Sequence, residues 1–284
     1  MNRFSLVLLL RRCLNNWIPV GRSLRRLSKT RAYLNLSILD LQFRNRVNIT
    51  AAASSALPLI FYYDFAKRMG ISPSRDLETL AAVANDIRDK LTRTFSPVEI
   101  EECATGGRFD VNAAFLFLTI RKFVPSVVVE TGVAQGVSSY VMLKALQING
   151  KGRLISVDLP NRDPQGYTYH DGRRDLTYTP SGLEPGWLVP KELHSLWELK
   201  LGRSSEVLPT IDSKVDIFYH DSEHSYENMT FEYEWAYSHL KEGGILASDD
   251  VSWNEAFSDF ARKHEDMRPI FDKSIFPSMI KVKL

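Results

Sequence analysis

The sequence predicts an α/β fold in which helices cover both faces of a doubly wound, mostly parallel sheet. After Pro125, short apolar runs alternate with amphipathic segments, an order typical of parallel strands joined by crossover helices. The last residues read PIFDKSIFPSMIKVKL and indicate two further strands joined by a short turn, which would form an antiparallel edge. Together with the five runs VVVET, GRLISVD, LKLG, VDIFYHD and GILASDD, they predict a seven-stranded sheet.

The part of the chain before this sheet is expected to form a helical N-terminal extension. Apolar residues recur at the spacing of one helix face at Leu77, Leu80, Ala84, Ile87 and Leu91. The run SPVE at 96–99 indicates a capping box that begins a second helix, and VNAAFLFLTIRKF indicates a third that ends before Pro125. We therefore divide the chain into a basic arm at 1–46, a helical accessory region at 47–124 and an α/β domain at 125–284.

Charge is distributed unevenly along the chain. Residues 1–46 hold ten Lys/Arg and one Asp, a net charge of +9, whereas the other 238 residues hold 26 basic and 33 acidic side chains, a net charge of −7. The α/β domain therefore offers no general surface for polyanions, and nucleic acid is not expected as a partner. The arm has two interpretations that stay open: a solvated basic segment, or an amphipathic segment that contacts a membrane surface peripherally.

The cysteines and the N-terminus indicate where the protein resides. Cys13 and Cys103 lie 90 residues apart, so the sequence indicates neither a disulfide framework nor a zinc site. The opening run MNRFSLVLLLRRCLNNW is shorter than the roughly 20 residues that span a bilayer, and it lacks a small-residue cleavage site. We expect a cytoplasmic protein, with peripheral membrane association through the arm as the alternative, and homo-oligomerisation left open.

Five carboxylates fall at or just past the ends of predicted strands. In open α/β sheets, ligands bind beyond the carboxyl ends of the strands, near the point where the strand order reverses. Like charges along one edge repel each other, so a sheet with a purely structural role has no reason to gather them there. The sequence therefore predicts a ligand site at this edge, at Glu130, Asp158, Asp221, Asp249 and Asp250.

The segment VVVETGVAQGVSSY, residues 127–140, indicates what kind of ligand binds first. Gly132 and Gly136 allow a sharp turn and a close approach of the backbone, but the spacing is not the G-x-G-x-x-G of dinucleotide enzymes. Asp158 follows Gly132 by 26 residues and would end the next strand, where a carboxylate can accept both ribose hydroxyls. A nucleoside without a pyrophosphate is expected, with a cationic group near Glu130, such as the amino group of S-adenosylmethionine.

This segment resembles the first motif of class I S-adenosylmethionine-dependent methyltransferases, E/D-x-G-x-x-x-G-x-S. The matching residues are Glu130, Gly132, Gly136 and Ser138. The resemblance implies a Rossmann-like methyltransferase fold in which Glu130 and the glycine loop hold the methionine end of the cofactor and Asp158 holds the ribose. Arg203 stands where the family often has an acidic residue near the adenine ring, so the adenine contacts stay unassigned.

The segment 215–257 is expected to carry the reacting end of the site. Neighbouring parallel strands would bring Asp221, Asp249 and Asp250 together, and oxygen ligands suit Mg²⁺ or Mn²⁺. A cap on the following helix is the alternative role of the aspartate pair. His224 follows Asp221 by three residues and can act as a general base, whereas His220 is expected to be structural.

This region resembles metal-dependent O-methyltransferases of the catechol type and the bacterial enzymes that methylate hydroxyls of sugars and natural products. The resemblance implies that Asp221, Asp249 and Asp250 are metal ligands, with Asp250 in place of an asparagine, and that His224 replaces a catalytic lysine. We therefore expect an O-methyltransferase that acts on a hydroxyl of a small molecule or glycan. The alternatives are a nicotinamide-dependent oxidoreductase and a non-catalytic scaffold protein that binds the cofactor.

Overall fold

A computed structural model describes residues 66, 74–95, 109, 111–160, 183–251, 253–269 and 279–283 of the chain. The basic arm, the capping-box run at 96–99 and residues 161–182 of the insert after the second strand lie outside these residues. The division into three regions and the membrane interpretation of the arm therefore stay predictions. Within the described part of the chain, no helix is both long enough and apolar enough to cross a membrane.

Two helices precede the sheet, α1 (Ser74–Thr94) and α2 (Val111–Phe123). Four residues of the helix face predicted for α1 are buried, namely Leu80, Ala84, Ile87 and Leu91, with Leu80 fully covered and Ile87 1% exposed. Helix α2 ends where Val124 adopts a left-handed backbone conformation with φ 48°, directly before Pro125. The helical character expected before the sheet is thus present in both of these segments.

Within the described residues, seven strands form one sheet in the order β3-β2-β1-β4-β5-β7-β6. They are β1 (Val127–Thr131), β2 (Arg153–Asp158), β3 (Trp197–Leu201), β4 (Val215–His220), β5 (Leu240–Ser248), β6 (Met267–Pro269) and β7 (Met279–Lys283). Strands β1 to β5 pair in parallel, β7 runs antiparallel to β5, and β6 runs antiparallel to β7. The predicted α/β class with a mostly parallel sheet is confirmed.

The strand order reverses between β1 and β4. The chain moves outward from β1 through β2 and β3 and then returns to the other side of β1 with β4. Thr131 at the end of β1 is in register with His220 at the end of β4, and the Asp221 N–H donates to the Thr131 carbonyl at 2.9 Å. This is the place where open α/β sheets bind their ligands.

Helices cover both faces of the sheet. They are α3 (Val137–Asn149), α4 (Ser204–Val207), α5 (Tyr226–His239) and α6 (Ala256–Lys263), with 3₁₀ turns at Lys191–Leu196 and Leu208–Thr210. Val128 packs with the helices α1, α2 and α3, while Val129 packs with α5 and α6 on the opposite face. Both valines are 0% exposed, because the side chains of a strand alternate between two covered faces.

Candidate active site

A tight loop, residues 132–136, joins β1 to α3 at the strand-order reversal and is called here the glycine loop. Gly132 and Gly136 have φ of +83° and +92°, a region that glycine tolerates best. A Cβ at Gly132 would lie 1.9 Å from the backbone oxygen of Asp221. Glycine is therefore required at 132 because the loop packs directly against the chain leaving β4.

Asp158 lies at the end of β2, as the sequence predicted, and it also contacts the glycine loop. One carboxylate oxygen accepts the N–H groups of Val133 at 2.9 Å and Ala134 at 2.7 Å, and the other accepts the N–H of Leu159 at 2.6 Å. The half-buried carboxylate thereby fixes the shape of the loop. Its role toward a ribose stays a prediction.

Glu130 is fully buried among serine hydroxyls near the end of β1. Its side chain is 0% exposed, and its oxygens accept hydrogen bonds from the hydroxyls of Ser138, Ser139 at 2.6 Å and Ser156 at 2.7 Å. Burial raises the pKa of Glu130 to about 7, although the serine hydroxyls oppose this shift. Through these hydrogen bonds Glu130, in β1, is linked to β2 and to the first turn of α3. Its contact with the cofactor stays a prediction.

A short segment of the insert, residues 184–189, lies against the glycine loop. The Gly186 N–H donates to the Ala134 carbonyl at 2.8 Å, and the Leu188 N–H donates to the Gln135 carbonyl at 3.1 Å. The Trp187 indole also donates to the side-chain oxygen of Gln135. Sequence reasoning missed these contacts, because a lone glutamine in a loop and a tryptophan 52 residues away carry no shared pattern.

His224 is buried beside Asp221, on the side of the site where the acceptor is expected. Its side chain is 8% exposed, and its Nε2 lies 4.0 Å from a carboxylate oxygen of Asp221, which is itself 35% exposed. Nε2 has no hydrogen-bond partner. Burial, together with His220, lowers the pKa of His224 to about 3, so the imidazole is neutral at physiological pH.

The pair Asp249-Asp250 follows β5 at the same edge. Asp249 accepts the side-chain amide of Asn112 at 3.0 Å and the Asp250 N–H at 2.8 Å. Burial and the charge of Asp249 raise the pKa of Asp250 to about 6, and a hydrogen bond from the Trp253 side chain opposes the shift. Asn112 lies in the first turn of α2, so the helical region before the sheet reaches the candidate site, which the sequence did not indicate.

The predicted metal centre is not found in the described part of the chain, where no group of three or more Asp, Glu, His or Cys side chains could hold a metal ion. Asp221 accepts the Tyr219 hydroxyl at 3.1 Å, and Asp249 and Asp250 accept the donors given above. Shared position at strand ends was therefore insufficient, because each of these carboxylates is hydrogen-bonded to a different neighbouring donor. The first N–H group of α6, that of Ala256, donates to the side chain of Asn254 at 2.9 Å and not to the aspartate pair.

A buried hydrogen bond between a histidine and a glutamate, below the reversal point, was also missed. His220 Nδ1 lies 2.6 Å from Glu232 of α5, and both side chains are 0% exposed. Burial opposes ionisation of Glu232, but His220 and hydrogen-bonded hydroxyls outweigh it and lower its pKa to about 2. The signal in the sequence was Glu232 itself, because it lies three residues after Met229 and so shares the buried helix face.

Residues 129–251 match a family model described as a methyltransferase domain. No curated protein matches the chain. An SAH-bound methyltransferase of Podospora anserina, PaMTH1, is 12% identical, with 71% of this chain and 87% of that chain covered and a TM-score of 0.48. An O-methyltransferase from Bacillus cereus in complex with SAH is 16% identical, with 72% and 99% covered and a TM-score of 0.44.

The family match extends from the middle of β1 to just beyond β5. It therefore includes the glycine loop, the carboxylate at the end of β2 and the acidic residues after β4 and β5. Over residues 129–251, which hold the candidate site, the chain is therefore similar to a methyltransferase domain.

Proposed function

We propose that this protein is an S-adenosylmethionine-dependent methyltransferase that transfers a methyl group to a hydroxyl oxygen of a small molecule or glycan. The observation that carries the proposal is His224, a buried, neutral imidazole whose Nε2 has no partner and lies 4.0 Å from Asp221. The backbone of Asp221 touches Gly132, so the cofactor loop and this imidazole are neighbours. A neutral imidazole beside the methyl donor is suited to an acceptor that loses a proton.

The donor set at the glycine loop fits S-adenosylmethionine. The loop backbone would hold the methionine end of the cofactor, and Asp158 would accept the ribose hydroxyls. When bound, the cofactor supplies an electrophilic methyl group on a sulfonium. Ser138 lies in the first turn of α3, and its hydroxyl donates a hydrogen bond to Glu130. A rotation of this side chain would direct the hydroxyl toward the carboxylate at the methionine end of the cofactor.

His224 would orient the acceptor and take its proton. Nε2 would accept a hydrogen bond from the hydroxyl, which directs an oxygen lone pair toward the methyl group. It would take the hydroxyl proton as the methyl group passes from the sulfonium sulfur, which leaves as a thioether, to this oxygen. Asp221 stabilises the resulting imidazolium from 4.0 Å. With a pKa of about 3, the imidazole stays neutral and able to accept a hydrogen bond throughout the physiological pH range.

A divalent cation, which the sequence also predicted, is not assigned a step in this mechanism. The carboxylates expected to bind it accept hydrogen bonds from Tyr219, Asn112 and the Trp253 side chain instead. A nicotinamide-dependent oxidoreductase is disfavoured by the glycine spacing of the loop. A non-catalytic scaffold would have no use for a buried, unpartnered imidazole, whose unmet hydrogen bond carries a cost.

Product analysis tests the proposal. The protein is incubated with methyl-labelled S-adenosylmethionine and a panel of phenols, sugars and amines, and the labelled product is identified by mass spectrometry. Label on a hydroxyl oxygen, lost in His224→Ala and retained in the exposed control His194→Ala, supports the proposal. Label on nitrogen, sulfur or carbon refutes it, as does stabilisation by NAD in place of S-adenosylhomocysteine in a melting experiment.

A further inference from the structure

We propose that α1 positions the glycine loop for the cofactor, and that Lys90 and Trp187 are the positioning residues through which it acts. This inference rests on the proposed function, because it concerns the affinity for S-adenosylmethionine. Lys90 lies before the residues that match the methyltransferase family model, 129–251, so that match does not extend to it. The connection between α1 and the loop is the segment 184–189, called here the strap.

The strap holds carbonyl groups of the glycine loop. The Gly186 N–H donates to the Ala134 carbonyl at 2.8 Å. The Leu188 N–H donates to the carbonyl of the next loop residue, Gln135, at 3.1 Å. Ala134 has a left-handed backbone with φ 46°, which a residue with a Cβ adopts only when its surroundings hold it there. The shape of the loop therefore depends on the strap as well as on Asp158.

Direct backbone contact couples the strap to the loop. A Cβ at Gly136 would lie 2.6 Å from the Cα of Gly186, and a Cβ at Gly186 would lie 2.3 Å from the Trp197 ring of β3. Trp197 is held in turn, because its indole N–H donates to Ser156 at 2.9 Å. The strap is thus packed between the loop and β3, so it cannot move toward the loop without displacing it.

Lys90 of α1 also holds the strap. Its Nζ donates to the Leu188 carbonyl at 3.0 Å, across 98 residues of sequence. Leu188 thus accepts a hydrogen bond from α1 and donates one to the glycine loop. The ammonium group of Lys90 lies 2.9 Å from the Asp86 carboxylate, one helical turn earlier, and 5.3 Å from the centre of the Tyr140 ring. Since the Lys90 side chain is 30% exposed, its ion pair with Asp86 contributes little to stability, and the hydrogen bond to the strap is the contact that affects the loop.

Trp187 makes a second connection between the same two elements. Its indole N–H donates to the side-chain oxygen of Gln135, and its ring meets the Phe95 ring edge to face with centroids 5.8 Å apart. Phe95 follows the last residue of α1 and is 9% exposed. Both connections from α1 therefore end at Gln135 of the glycine loop, one at its backbone and one at its side chain.

The consequence for binding follows from conformational entropy. A loop that is free to change shape must be ordered when the ligand binds, whereas a loop already held in one shape has little freedom to lose. Contacts that only stabilise the fold would change the free energy of unfolding and leave the affinity for a ligand unchanged. Contacts that end on the glycine loop should change the affinity itself, so measuring both quantities separates the two roles.

The experiment measures the Kd of S-adenosylhomocysteine by calorimetry and the free energy of unfolding in urea, for the full-length protein and its variants. Lys90→Met removes the ammonium group but keeps the length of the side chain, and Lys90→Arg restores a cationic donor. Trp187→Phe keeps an aromatic ring and removes the indole N–H. Arg93→Met is the matched control, because Arg93 is an exposed cation on the same helix.

Lys90→Met and Trp187→Phe should each raise the Kd about 2- to 12-fold, the range for one lost hydrogen bond, while Lys90→Arg and the control stay within about twofold of the wild type. Hydrogen exchange of the unliganded protein gives a local readout, because the Gly186 and Leu188 amides should exchange faster in Lys90→Met and not in the control. A wild-type Kd in Lys90→Met and Trp187→Phe, whatever their free energies of unfolding, or a raised Kd with unchanged exchange of the strap, overturns the inference alone. Failure of the wild type to bind S-adenosylhomocysteine overturns the proposed function as well.

Discussion

Replacing Glu130 by glutamine separates two roles for this residue at the start of the glycine loop. The sequence predicted that Glu130 binds the amino group of the cofactor, whereas the structure surrounds it with Ser138, Ser139 and Ser156. Glutamine keeps the size of the side chain and can still bond to the hydroxyls, which rotate to donate or accept. It removes the charge that burial disfavours.

The expected effect on stability depends on pH. Burial raises the pKa of Glu130 from 4.5 to about 7, so its favourable contribution is complete below pH 4.5 and is lost as the pH rises to 7. At 1.36 kcal/mol per pKa unit, the wild type should lose about 2.5 kcal/mol through this residue between pH 5 and pH 8. Glu130→Gln should not show this loss, so the variant gains on the wild type as the pH rises.

Urea unfolding at pH 5 and pH 8 measures the difference, with the exposed Glu242→Gln as the matched control. The free energies of unfolding of wild type and variant should diverge by about 2.5 kcal/mol across this range, while the control follows the wild type. Identical pH dependence of wild type and Glu130→Gln would refute the reasoning. Calorimetry with S-adenosylhomocysteine gives the second result: near-equal affinity favours the structural role, and a large loss favours the contact predicted from the sequence.

Three further predictions concern the cofactor, the base and the cation. Asp158→Ala should weaken S-adenosylhomocysteine binding by roughly 1 to 3 kcal/mol in calorimetry, and an unchanged Kd would mean that the ribose lies elsewhere. His224→Ala should lower kcat by about 10²- to 10⁴-fold without changing cofactor affinity, and the wild-type rate should show no His224-dependent fall between pH 8 and pH 5, since its pKa is about 3. EDTA should leave turnover unchanged, because Asp221 and Asp249 bond to protein donors; a loss restored by Mg²⁺ would contradict this.

The sequence was sufficient for the architecture and for the cofactor edge, because both depend on short-range patterns. Apolar runs of strand length gave β1 to β5, and the glycine spacing located the loop that packs against Asp221. Asp158 could be placed at the same edge of the sheet as that loop, because the carboxyl ends of neighbouring parallel strands lie side by side. These inferences needed only the order of elements along the chain.

Side-chain partners were beyond the reach of the same reasoning. Asn112 and Asp249 are 137 residues apart in sequence, and no periodicity links them, yet their hydrogen bond removes one carboxylate from the expected cation site. Likewise, the position of Glu130 was predicted correctly, but the three serine hydroxyls that surround it come from both β2 and α3. A single sequence indicates where a carboxylate lies more readily than what it bonds to.

The two histidines after β4 show how this limit affects a functional assignment. His224 was chosen for its spacing from Asp221 and His220 was assigned to the strand, but burial decides the properties of both. His220 Nδ1 lies 2.6 Å from Glu232, so this nitrogen is not available to bind the acceptor. The His220 ring instead packs against the edge of the His224 ring. Burial of the His224 side chain lowers the pKa of His224, and its Nε2 has no hydrogen-bond partner. The packing of the surrounding side chains therefore keeps the proposed proton acceptor neutral.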